Sequence, residues 1–85
     1  MYYIGIDISK FKHDCAVIDD SGEIITPSWS FTNDSEGFSQ LKMLLDSLDA
    51  ETRIGLESTG HYGMNLKLFL ESIGFSFMEF NPLLI

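Results

Sequence analysis

Cysteine, proline and positive charge are all scarce in this chain of 85 residues. The one cysteine, Cys15, excludes an internal disulfide. Its place in the apolar run Cys15-Ala16-Val17-Ile18 reads as a small buried hydrophobe rather than a reactive thiol. No apolar run approaches the roughly 20 residues that span a bilayer. The N-terminus enters an apolar strand with no basic segment or cleavage site, so no membrane partner and a cytoplasmic location are expected. Five lysines and arginines stand against 13 aspartates and glutamates, a formal charge of -8. That balance repels a polyanion unless cations or another protein segment intervene. Repeats, low-complexity tracts and interdomain linkers are also lacking.

What is present suits a packed globule. Hydrophobic residues make up 45% of the chain, with seven Phe, three Tyr and one Trp, which excludes a disordered segment. A chain of this length forms one domain at most and buries only about 60 to 65% of the surface that its unfolded form exposes. The last residues, Asn81-Pro82-Leu83-Leu84-Ile85, stop in an apolar run where chain ends are ordinarily exposed. Residues 1–85 are therefore expected to be a fragment, the N-terminal part of a domain cut before its later helices.

Tyr2 to Asp7 is a nearly continuous apolar run that suits a central strand covered on both faces. His13 to Asp19 reads as a second strand, and Asp20-Ser21-Gly22 as the turn into a third, Glu23 to Thr32. Pro27 has no N–H for a ladder and places that third strand at a sheet edge. Trp29 and Phe31 alternate with serines there, as core or interface residues before base-stacking ones. Asn33 followed by Glu36 resembles a capping box, and Phe38, Leu41, Leu44, Leu45 and Leu48 give a helix from about Asp34 to Leu48. Thr52 to Glu57 is a fourth strand, reached by a crossover long enough to run parallel to the first. A second helix opens near His61 and ends at Gly74, and Phe75 to Phe80 is a fifth strand broken by Asn81-Pro82. The order is α/β, a mixed sheet β-β-β-α-β-α-β of the RNase H-like kind.

Two acids stand at corresponding strand ends. Asp7 closes the first strand in Gly5-Ile6-Asp7-Ile8-Ser9-Lys10, and Glu57 closes the fourth in Gly55-Leu56-Glu57-Ser58-Thr59-Gly60. If the two strands are parallel neighbours, both carboxylates face the crevice where open α/β sheets bind ligands. A divalent cation would offset the cost of an unpaired charge there. The alternative is that both acids simply point into solvent. Asp14, Asp19 and Asp20 read as solvated turn and edge charges.

Those segments, together with His61-Tyr62 and Asn81-Pro82, resemble the N-terminal RuvC-like domain of the DEDD-type insertion-sequence transposases, a group that includes pilin-gene invertases and RNA-bridged recombinases. The resemblance covers essentially the whole chain. It implies a parent protein that cleaves and joins DNA with Mg2+ or Mn2+, works as a homo-oligomer and, in one branch, uses a guide RNA. It further implies that Asp7 and Glu57 are catalytic metal-binding members of an acidic tetrad. Two further Asp residues and a serine nucleophile are expected beyond this chain, so the fragment alone should be inactive or nearly so. Ser58, Thr59, Gly60, His61, Tyr62 and Lys10 are candidate contacts for DNA phosphate. Each also has a plainer role: helix cap for Ser58 or Thr59, backbone clearance for Gly60, surface or packing residue for His61 and Tyr62, solvated charge for Lys10.

Two rivals share parts of this pattern. An actin-like sugar kinase or ATPase lobe begins with the same strands, but needs a glycine-rich phosphate loop where Ile8-Ser9-Lys10 stands. A non-catalytic assembly module would use the aromatic edge strand for self-association.

Overall fold

The computed structural model describes residues 1–57 and 61–80, the last of these by its backbone alone. Alternation of apolar and small or polar residues builds β1 (Tyr2–Ile8), β2 (Lys12–Asp19) and β3 (Ile24–Thr32). They are followed by α1 (Ser35–Ser47), β4 (Thr52–Glu57), α2 (Met64–Ser72) and β5 (Phe77–Phe80). The sheet order is β3-β2-β1-β4-β5, antiparallel within the first three strands and parallel from β1 to β4 and from β4 to β5. This is the RNase H-like arrangement. No helix among the described residues is long and apolar enough to cross a membrane.

One face of the sheet holds the core. Ile4, Ile6 and Ile8 of β1, Cys15 and Val17 of β2, Phe31 of β3, and Ile54 and Leu56 of β4 are buried beneath Phe38, Leu41 and Leu45 of α1 and Leu66 and Leu70 of α2. Phe38 and Phe69 stack at 5.2 Å where the helices meet. Phe31 sits edge-on to Phe38 at 6.5 Å. The opposite face of β1, carrying Tyr3, Gly5 and Asp7, is exposed. The expectation of a strand covered on both faces is thus corrected: the glycine in Ile4-Gly5-Ile6 made an alternating strand read as a continuous apolar run.

Local chemistry fixes the ends of the elements. Asp19 Oδ1 accepts from the N–H groups of Ser21 and Glu23, both at 2.9 Å, and Gly22 adopts φ +87° in that turn. β3 is an edge strand, and the register between β2 and β3 shifts between Cys15 and Val17, opposite Pro27, where a ladder N–H is missing. The cap of α1 is Asp34, not Asn33: Asp34 Oδ1 accepts from the Gly37 N–H at 2.9 Å and from the Thr32 hydroxyl at 2.6 Å. Those bonds, the Thr32 hydroxyl first, hold its carboxyl below the usual range. α2 opens at Met64 after Gly63, so His61 and Tyr62 precede the helix rather than form its first turn. It closes on Gly74 at φ +84°, whose N–H reaches Glu71 at 3.1 Å. Asn81-Pro82 lies outside the described residues.

Two glycines separate close packing from open space. A Cβ on Gly37 would lie 1.9 Å from the Thr32 carbonyl oxygen, whereas one on Gly5 meets nothing within 4 Å. Gly37→Ala is expected to cost about 1 to 3 kcal/mol of stability in chemical denaturation. Gly5→Ala should leave stability unchanged or raise it by up to about 1 kcal/mol. Burial also pushes the Cys15 thiol up to about 12. Because the folded state holds that proton more tightly, its stabilising effect is full below the unfolded thiol's pKa and fades as pH rises toward 12. At pH 8 a disulfide reagent should label Cys15 only after denaturant is added.

Candidate functional site

The register of three strands builds the site. β1 pairs with β4 so that Asp7 lies opposite Glu57, and with β2 so that Asp7 lies opposite Asp14. Asp14, Asp7 and Glu57 therefore form one row across neighbouring strands, which lie about 4.8 Å apart. The adjacent row on the same face is Ala16, Gly5 and Gly55, and the next is Ile18, Tyr3 and Arg53. The acidic and small rows line an open hollow of about 350 Å³, with Ser28 at its margin. Asp7 is exposed, while Glu57 and Asp14 are half-buried.

Asp14 is a neighbour of this pair that the sequence alone does not reveal. Only three residues, Ser9 to Phe11, separate β1 from β2, and folding that hairpin about Lys10 and Phe11 sets residue 14 against residue 7. The same hairpin turns Asp14 away from the buried His13 and Cys15 that flank it. Its Oδ1 accepts from the Ser30 hydroxyl of β3. Asp14 thus stands on an inner strand rather than at a sheet edge, and among the described residues it completes no metal-binding group. Asp19 ends β2, where its carboxylate accepts from Ser21 and Glu23, and Asp20 begins the turn that follows.

The phosphate candidates are more scattered. Lys10 is exposed in the hairpin turn, its Nζ lying 5.1 Å from the centre of the Phe11 ring. His61 and Tyr62 are exposed ahead of α2, and the Tyr62 carbonyl accepts from Asn33 Nδ2 at 3.4 Å. Ser58, Thr59 and Gly60 lie outside the described residues.

The carboxylate oxygens of Asp7 and Glu57 are donors of the kind a hard cation takes, and magnesium retains several waters, so two such groups fit the beginning of a metal site. Among the described residues no three His, Cys, Asp or Glu side chains converge closely enough to enclose an ion.

The sequence profile of a transposase family, the DEDD transposases of IS110 type, matches residues 4–85. Among solved structures, a type II variant of the Ppx/GppA phosphatase from Aquifex aeolicus is similar at TM-score 0.53 and 11% identity, over 96% of this chain and 36% of that one. Another Aquifex aeolicus Ppx/GppA family member gives TM-score 0.49 and 14% identity, over 96% and 35%. The chain thus spans about a third of the length of these structures, and at 11% identity the first likeness concerns the fold alone. No curated protein matches.

Like charges directly opposite one another on neighbouring strands weaken a sheet. In metal-free, low-salt buffer Asp7→Asn should therefore raise the melting temperature by a few degrees, a gain that shrinks in molar salt. An unchanged or lower melting temperature would mean that the three acids do not feel one another.

Proposed function

Because this chain belongs to the DEDD transposase family, we propose that it is the opening part of the catalytic domain of a DNA transposase or site-specific recombinase acting in the cytoplasm. The reading rests above all on the pairing of Asp7 with Glu57 at the carboxyl ends of two parallel neighbours. Both acids line a single hollow on the open face.

In this role Asp7 and Glu57 hold Mg2+ or Mn2+ together with two further aspartates of the family's tetrad. The bound ions supply activation of the attacking oxygen and stabilisation of the leaving oxygen in phosphodiester cleavage and joining. Asp14, fixed by Ser30, adds negative charge beside the pair and strengthens the local demand for a cation. With a formal charge of -8, the chain meets DNA only where cations or other parts of the assembled protein neutralise the acidic row. Lys10, Ser58, Thr59, Gly60, His61 and Tyr62 are assigned as contacts to DNA phosphate around that row. The active form is a homo-oligomer on DNA, with a guide RNA where the element is of the RNA-bridged kind. Assigned only two members of the tetrad, the chain alone cleaves DNA weakly or not at all.

The rival readings have less support. Ile8-Ser9-Lys10 after Asp7 contains no glycine for a nucleotide phosphate loop. Phe31 is buried and Trp29 packs against it at 5.3 Å, so the aromatic residues of β3 are turned inward.

In a full-length transposase carrying this chain, Asp7→Asn and Glu57→Gln should each lower Mg2+-dependent strand cleavage by about a hundredfold or more, the scale of losing one charge-stabilising group. DNA binding in EDTA should be retained. Cleavage at the wild-type rate by either variant would refute the assignment.

A further inference from the structure

Among the described residues His13 is the one buried polar side chain, with no exposed surface. Its Nδ1 accepts from the Ser9 N–H at 3.2 Å, which leaves the ring proton on Nε2. Among the described residues, His13 Nε2 and Asn33 Oδ1 are the buried side-chain atoms without a hydrogen-bond partner. They are a donor and an acceptor. Burial holds the imidazole below its ordinary pKa, against the smaller upward pull of the neighbouring Asn33 side chain and of the Asp14 and Asp7 charges.

The donors of Asn33 are all engaged. Its Nδ2 donates to the carbonyls of Lys10 at 3.1 Å and Tyr62 at 3.4 Å, and its backbone N–H donates to the Phe11 carbonyl at 2.9 Å. One side chain thus ties the turn that follows Asp7 to the segment that leads from Glu57 into α2. Neither His13 nor Asn33 lines the acidic hollow.

We propose that His13 and Asn33 form a positioning latch, closed by an Nε2–H to Oδ1 hydrogen bond, that fixes the two segments leaving the carboxyl ends of β1 and β4 relative to one another. The pair touches no reacting atom; it acts through the backbone of Ser9, Lys10, Phe11 and Tyr62. An apolar ring at position 13 would fill the same space and keep the edge contact with Phe31, which is 5.4 Å between centres. What histidine adds is one acceptor and one donor on opposite sides of the ring. The consequence for catalysis, though not the latch itself, rests on the function proposed above.

Nitrogen-15 NMR of the chain tests the latch without reference to activity. His13 should show an unprotonated Nδ1 and a protonated Nε2 whose proton exchanges slowly with water. A proton on Nδ1, or fast exchange at Nε2, would overturn the proposal. Asn33→Asp keeps the acceptor and removes both side-chain donors, and should shift the backbone signals of residues 9–11 and 61–63 together; a response in only one segment would also overturn it. In a full-length transposase, His13→Phe and Asn33→Asp should each lower kcat for strand cleavage about tenfold or more with little change in KM for DNA, and the double variant should be no worse than the poorer single one. Activity that merely tracks the melting temperature of the variants would assign the pair to stability alone. If Asp7→Asn cleaves normally while the NMR results hold, the transposase reading fails and the latch stands; the converse removes the latch alone.

Discussion

The unshifted parallel pairing of β1 with β4 is the constraint on which the rest depends. Tyr2 stands opposite Thr52, and each later residue of β1 meets its counterpart until Asp7 reaches Glu57. A slip of one residue would turn Ile54 and Leu56 out of the core and point Glu57 into it. The same pairing that buries Ile4, Ile6, Ile54 and Leu56 beneath the helices therefore sets the two carboxylates side by side on the opposite face. Hydrophobic burial and site geometry are two results of one register.

The two faces of the sheet divide the work. Beneath α1 and α2 lies an apolar core in which the one buried polar side chain among the described residues, His13, is engaged through Nδ1. On the other face the rows run from acidic through small to mixed apolar, with Asp14, Asp7 and Glu57 at the end where β1 and β4 finish. An acidic row on a chain of charge -8 is costly to assemble without a counter-ion. The phosphodiester chemistry proposed above would use such a row to collect cations.

Much of the fold was legible because the relevant signals are local. Thr52 to Glu57 was read with its observed bounds, Pro27 gave the edge strand, and the leucine spacing after Asp34 gave α1. The errors occur where distant partners decide. Asn33 and Asp34 are both competent caps, but Asn33 is drawn off by carbonyls 23 and 29 positions away, and Asp34 takes the helix. The place of Asp14 opposite Asp7 is hidden because strand alternation says which face a residue takes only once its neighbour's register is known. The resemblance that named Asp7 and Glu57 came from motif residues, and the family match over residues 4–85 agrees with it.

Titration of the nitrogen-15-labelled chain with Mn2+ bears most directly on the central claim, because a paramagnetic ion broadens the signals of whatever groups hold it. The account predicts that the amide signals of Asp7 and Glu57 broaden together at the lowest Mn2+ concentrations, and that Asp7→Asn removes both effects at once. Broadening centred instead on the turn acids Asp19 and Asp20, or on one of the two strand ends without the other, would contradict a shared cation.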